Sequence, residues 1–209
     1  KYAAQGIMMG FKDPDGIAGD LGGGSLELID IAGDSVREAA TLPLGGLRLI
    51  DTTGNKIKAA LTAIDAAPSL LPWLSRGKGR TFYAVGGTWR SLAKLHMEAK
   101  AYPLRVMHGY QLATKDAEEF CDSLRKGKKQ LDFVAKARRD VLPYGALVLE
   151  RLIKRMQPSS VVFSVYGIRE GLIYSLLPEH ERRRDPVLSF AEDYARGRSR
   201  SVEHAHELC

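Results

Sequence analysis

"GDLGGGSLELID", residues 19–30, decides how this chain is read. Ile17, Ala18 and Leu21 carry an apolar segment into Asp20 and then into three successive glycines. Beyond Ser25, Leu26 and Leu28 alternate with Glu27, and Ile31 follows Asp30, the pattern of a half-buried strand. Ordering a glycine costs more backbone entropy than ordering any other residue, so three in a row need a reason. As a bend between two strands they expose successive N–H groups with no side chain in front. Such a concavity binds anionic oxygens, phosphate above all. Asp20 alone repels phosphate. Its place beside the bend makes sense with a divalent cation between the two, usually magnesium. Ser25 offers a hydroxyl hydrogen bond to a phosphate oxygen, and Glu27, two positions on, faces the same way.

Working outward, "GD" at 33–34 predicts a tight turn and "SVREAATLPLG" a returning third strand, which makes a meander. A helix is expected from about Lys56 to Ala67, ended by Pro68. "RTFYAVGGT" reads as a buried strand running into Gly86 and Gly87, with Thr88 capping the helix of "TWRSLAKLHMEAK". Helical spacing covers 109–126 and 131–156, punctuated by Gly127 and Pro143. "SSVVFSV" at 159–165 is another apolar strand, followed by Gly167 and the helix of "REGLIYSLL" up to Pro178. After the charged break "HERRRD" an amphipathic helix starts at Pro186. The expected fold is α/β, a mixed five-stranded sheet flanked by helices, an antiparallel meander followed by parallel strands. Three of its strands end in glycine, at the edge where α/β sheets take ligands. Gly86 and Gly87 before a helix start offer a second anion site, and Arg169 and Glu170 follow the third strand in the same style.

With 209 residues, 44% of them hydrophobic, the chain can bury a core in one or two domains. No apolar run approaches the roughly 20 residues of a membrane span, and "KYAAQGIMMG" has no signal-peptide pattern. Cys121 and Cys209 are the two cysteines, which is no disulfide framework, and a cytoplasmic location is expected. The net charge of +6 mildly favours anionic partners, although "RRRD" at 182–185 and "RGRSR" at 196–200 concentrate it near the C-terminus. No zinc spacing and no aromatic–basic strand motif occur, so neither nucleic acid nor membrane is expected as a partner. His204 and His206, two apart, face different sides of a helix and make no metal site with Cys209. His108 reads as a loop-packing residue and Cys121 as a small apolar filler.

"GDLGGGSLEL" resembles the second phosphate motif of the exopolyphosphatase and guanosine pentaphosphate phosphatase (Ppx/GppA) family. "TLPLGGLRL", "VGGTWRSLAKL", "YPLRVMHGYQL", "RRDVLPYGALVL" and "VYGIREGLIYSLL" follow in that family's order, and the resemblance covers residues 17–178. It implies a lobe of the ribonuclease H-like, actin-type ATPase fold. Residues 1–180 would form the second lobe of the phosphatase domain, its first lobe absent, and 181–209 a linker and the first helix of a C-terminal helical domain. The implied activity is magnesium-dependent removal of terminal phosphate from inorganic polyphosphate or guanosine pentaphosphate, a reaction that needs mainly positioning and charge neutralisation. Asp20 and Glu27 would be the catalytic, metal-holding carboxylates. Gly22, Gly23, Gly24, Ser25, Gly86, Gly87, Thr88 and Arg169 would bind phosphate. The full-length form is expected to be a homodimer.

The family places an earlier phosphate loop and a water-activating glutamate in the first lobe, and residues 1–16 match neither. The 209 residues are therefore expected to hold half a site and little turnover. Two other readings remain open: a nucleotide-binding kinase or ATPase lobe whose "VGGT" holds adenosine, and a non-catalytic phosphate-binding module. "TLPLGGLRL" and "YGIREGL" favour the phosphatase over the first, and intact Asp20, Ser25 and Glu27 favour it over the second.

Overall fold

The computed structural model describes residues 1–104, 106–126, 136–198, 201, 203 and 204. Helix α1 (Tyr2–Gly10) leads into an antiparallel meander, β1 (Asp15–Leu21), β2 (Leu26–Ala32) and β3 (Ser35–Leu42). The chain continues through α2 (Gly46–Thr53), α3 (Ile57–Ala66), two 3-10 turns, β4 (Thr81–Val85), α4 (Gly87–Ala99), β5 (Tyr110–Ala113) and α5 (Thr114–Arg125). It closes with α6 (Lys136–Arg139), α7 (Leu142–Met156), β6 (Ser160–Phe163), α8 (Ile168–Leu176), α9 (Glu179–Arg182) and α10 (Pro186–Ala195). One six-stranded sheet runs in the order β3-β2-β1-β4-β6-β5. Its neighbours β1, β4 and β6 are mutually parallel, so Leu21, Val85 and Phe163 all end at one edge.

Alternation along β1 sorts the layers. Ile17 and Leu21 face the larger core, where Leu26, Leu28, Phe82, Trp89, Leu147 and Ile153 pack beneath the helices that follow the meander. Ala18 faces the other way, into a smaller core with Ile29, Ile31, Tyr83, Val85 and Val162 under α1. Asp20 and Glu27 fall on this second face, two residues from Ala18 and Ile29 respectively. There α1 and α8 cross so tightly that a Cβ on Gly171 would collide with the Tyr2 carbonyl oxygen. Close backbone approach of this kind needs glycine, and it holds the start of α8 over the sheet edge.

The opposite edge is tied by charge. Asp30 is 0% exposed, and its Oδ1 accepts from Arg80 Nη1 at 2.8 Å. Arg80 also donates to Asp15 Oδ1 at 2.7 Å and to the Ile31 carbonyl at 2.6 Å. Burial works against the guanidinium's charge, yet its acidic partners raise its pKa, and the hydrogen bond from Arg80 lowers that of Asp15.

Several expectations need correction. The sheet has a sixth strand, because residues 110–113, read as helical, pair antiparallel with β6 as edge strand β5. Two alternating buried positions, Tyr110 and Leu112, are too few to separate a strand from a helix by period. The helices α1 and α2 were missed, the first being rich in glycine and methionine and the second too short for a stable period. Pro143 sits in the first turn of α7 and opens that helix, since a proline there forfeits no intrahelical donor. Thr88 does not cap α4. The cap is Gly86, with no side-chain bond. Gly127, residues 131–135, His206 and Cys209 lie outside the described residues. Cys121 is buried, its thiol pushed up by burial, and His108 packs between Phe11 and Tyr166 while donating from Nε2 to the Gly10 carbonyl at 3.1 Å.

Candidate active site

The bend between β1 and β2 is closed by the Gly22 amide donating to the Ser25 carbonyl at 2.9 Å. The Gly23 carbonyl turns inward and accepts from the Leu47 and Arg48 amides at 3.0 and 3.1 Å, which caps α2. Gly22, Gly23 and Gly24 are all exposed, and nothing stands within 4 Å of where a Cβ on Gly24 would be. The amides of Gly23 and Gly24 have no acceptor among the described residues. The bend is therefore bare main chain, open at Gly24 and met at Gly23 by the Leu47 side chain.

Asp20 stands opposite Glu27 in the β1–β2 register. Like charges facing each other across two strands are destabilising without a cation. Burial, first, and the Glu27 charge, second, push the Asp20 carboxyl up to about 6, with Arg90 pulling it back. Ser25 spends its hydroxyl proton on Glu27 Oε1 at 2.7 Å, so that proton is not offered to a ligand as the sequence suggested. The bond instead steadies Glu27 beside the bend.

A cleft of about 220 Å³ opens in front of Asp20, lined by Gly86, Arg90, Val165, Gly167, Arg169 and Glu170 among others. Two helices begin on it, and they differ. At α8, Glu170 Oε2 accepts from the Gly167 amide at 2.8 Å, and that bond holds its carboxyl below the usual range. The start of α8 thus supplies its own anion. At α4 the cap Gly86 has φ +108, and a Cβ there would collide with the Leu21 carbonyl, so only glycine fits. That helix has no acid in its first turn and no side-chain cap, which leaves its first amides open. Gly86 and Arg169 line the cleft with Asp20. The methyl of Thr88 points instead at Gly145 of α7, and Gly87 lies under Arg138, whose Nη1 donates to its carbonyl at 3.3 Å. The sequence reading missed Arg90. It sits in the first turn of α4, and no periodicity or motif marks a cleft-facing cation there.

A family profile matches residues 1–180, that of the Ppx/GppA phosphatases. The chain belongs to the Ppx/GppA phosphatase family. Among solved structures, this Ppx/GppA chain is similar to a type II variant of the Aquifex aeolicus Ppx/GppA phosphatase, with 25% identity and a TM-score of 0.64 over 84% of this chain and 62% of that one. An exopolyphosphatase from Cytophaga hutchinsonii shares the fold at 19% identity, with a TM-score of 0.69 over 84% of this chain and 62% of that one. The neighbours carry the actin-like ATPase fold. Retrograde regulation protein 2 of Saccharomyces cerevisiae is 29% identical over 128 residues, 56% of this chain and 22% of that protein. The Ppx/GppA chain thus spans about three-fifths of those solved chains and about a fifth of the yeast protein.

Magnesium takes one or two carboxylates, keeps several waters and fills its shell with substrate phosphate oxygens. Asp20 and Glu27 offer that donor set, paired across two strands, with the charge of Arg90 reaching Asp20 and no ion pair to either carboxylate among the described residues. The described residues contain no group of three His, Cys, Asp or Glu that could cage a metal without a substrate. No helix among them is long and apolar enough to cross a membrane.

Proposed function

We propose that the intact protein hydrolyses terminal phosphoanhydride bonds of inorganic polyphosphate or guanosine pentaphosphate, and that this lobe supplies the metal-holding half of the site. The observation that carries the reading is the Asp20–Glu27 pair beside a glycine bend with unused amides, Asp20 lining the cleft at the start of α4 and Glu27 the groove with Lys1 and Tyr2 that shares its Ile168 wall. Asp20 and Glu27 would hold magnesium, which when bound supplies neutralisation of the phosphate oxygens. The Gly23 and Gly24 amides and the open start of α4 bind the phosphate anion and orient it. Ser25 fixes the Glu27 carboxylate through its hydroxyl. The cleft lining contains no aromatic ring, so nothing there stacks on a base, which favours phosphate over a nucleoside as its occupant.

The test is phosphate release by the untruncated protein from long-chain polyphosphate and from guanosine pentaphosphate, with magnesium and with chelator. Release with magnesium that disappears in Asp20→Asn is the expected result. Release that is indifferent to Asp20→Asn, or tight ATP binding without polyphosphate binding, overturns the reading.

A further inference from the structure

The geometry points to Arg90 as a phosphate-binding residue of the cleft, a pre-set cation that takes the terminal phosphate in the cleft it lines with Asp20. The inference rests on the phosphatase reading and adds a residue to it.

Arg90 lines the same cleft as Asp20. One of its donors, Nη1, is fixed on the Val165 carbonyl at 3.1 Å, which fastens the first turn of α4 to the turn after β6. That turn is itself held, because the buried Ser164 hydroxyl donates to the Tyr166 carbonyl and accepts from the Tyr166 amide, both at 3.0 Å. The guanidinium is therefore anchored at one nitrogen by a rigid acceptor. Of its five N–H donors the rest remain for a ligand. No carboxylate lies within 4 Å of it among the described residues, in contrast to Arg80, Arg125 and Arg184, which each pair with acids.

Its position argues the same way. A helix start carries partial positive charge, so an arginine in the first turn is unfavourable unless an anion joins it. At α8 the arginine in the first turn, Arg169, has that anion inside the protein as Glu170, which caps Gly167. At α4 the first turn has no acid and the capping glycine makes no side-chain bond. Both helix starts meet the same cleft, and at α4 the acids that feel Arg90, Asp20 and Glu170, stand beyond ion-pair distance of its guanidinium. A phosphate oxyanion supplies the close counter-ion. A planar, anchored guanidinium binds two oxygens of one phosphate at once, which a lysine cannot.

The experiment compares wild type, Arg90→Met and Arg90→Lys in the untruncated protein, by calorimetry with magnesium alone and with tripolyphosphate alone, alongside thermal unfolding. Loss of a clamping cation weakens tripolyphosphate binding about ten-fold or more in Arg90→Met, while magnesium binding is unchanged or tighter, because a positive charge beside the two acids is gone. Arg90→Lys falls between. A merely structural arginine moves both affinities down together and lowers the unfolding temperature. That outcome, or unchanged tripolyphosphate affinity in Arg90→Met, overturns the inference. Wild-type protein that binds tripolyphosphate through Arg90 yet releases no phosphate overturns the hydrolytic reading and leaves this one standing.

Discussion

At one end of the β1–β2 hairpin, Asp15 and Asp30 share Arg80, with Arg76 3.5 Å from Asp30. At the other end, Asp20 and Glu27 face each other, Glu27 bonded by the Ser25 hydroxyl, with no cation in salt-bridge range among the described residues. Both pairs of acids come from the same two strands, although Asp30 is buried and Asp15 exposed while Asp20 and Glu27 are both half-buried. The difference is that one end pairs its acids with arginine and the other sets two acids against each other. A buried acid with its base is a structural device, and two facing acids without one are a cost to folding. That cost persists where binding makes use of it.

Three variants and one titration would break or sharpen this contrast. Arg80→Met leaves Asp30 buried without its hydrogen-bonded partner, with only Arg76 at 3.5 Å, and should cost about 3–5 kcal/mol in urea unfolding, with phosphate release per folded molecule unchanged. Equal stability would mean the Arg80 end is as dispensable as a surface pair. Asp20→Asn in the untruncated protein should lower magnesium-dependent phosphate release on the order of 10²–10³-fold with the fold intact. Measured without metal, the same Asp20→Asn should raise stability by about 1 kcal/mol near pH 7, a figure reduced for the partial exposure of the group. The sign follows from the raised carboxyl, at about 6: ionised Asp20 burdens the fold above that pH, and the burden lifts as pH falls toward the unfolded value. The gain from Asn should therefore vanish below about pH 4. Asp15 behaves oppositely, since its carboxyl is lowered by the bond from Arg80 and its contribution is present at neutral pH and lost in acid. Glu170→Gln should have the smallest effect, about 1 kcal/mol or less from a weakened cap at α8, read by thermal unfolding. A loss larger than that of Arg80→Met would place the structural anchor at the cleft.

Much of this was legible in one dimension. Gly33–Asp34 turns, β1, β2 and β3 pair as a meander, and the glycines after β1 and β4 fall at the sheet edge that the strand pattern implied. These are local matters: a period of two, a turn dipeptide, a glycine where φ or close approach excludes a Cβ. Helix α2 and strand β5 were not legible, because short elements owe their form to what packs on them. Thr88 illustrates the same limit, since a threonine before a helical run suggests a cap until Gly145 of α7 claims its methyl.

The sequence by itself determined which residues have the chemistry to suit an anion or a cation: Asp20, the glycines, Ser25 and Glu27, all within one hairpin whose geometry is set by neighbours in the chain. Only the tertiary structure decided which of those groups stay available. Ser25 gives its proton to Glu27, Glu170 closes the start of α8, and Arg90 arrives from a helix far along the chain, anchored on the Val165 carbonyl in the cleft of Asp20. Chemistry is a property of residue type, whereas a free hydrogen-bonding group is a property of everything around it.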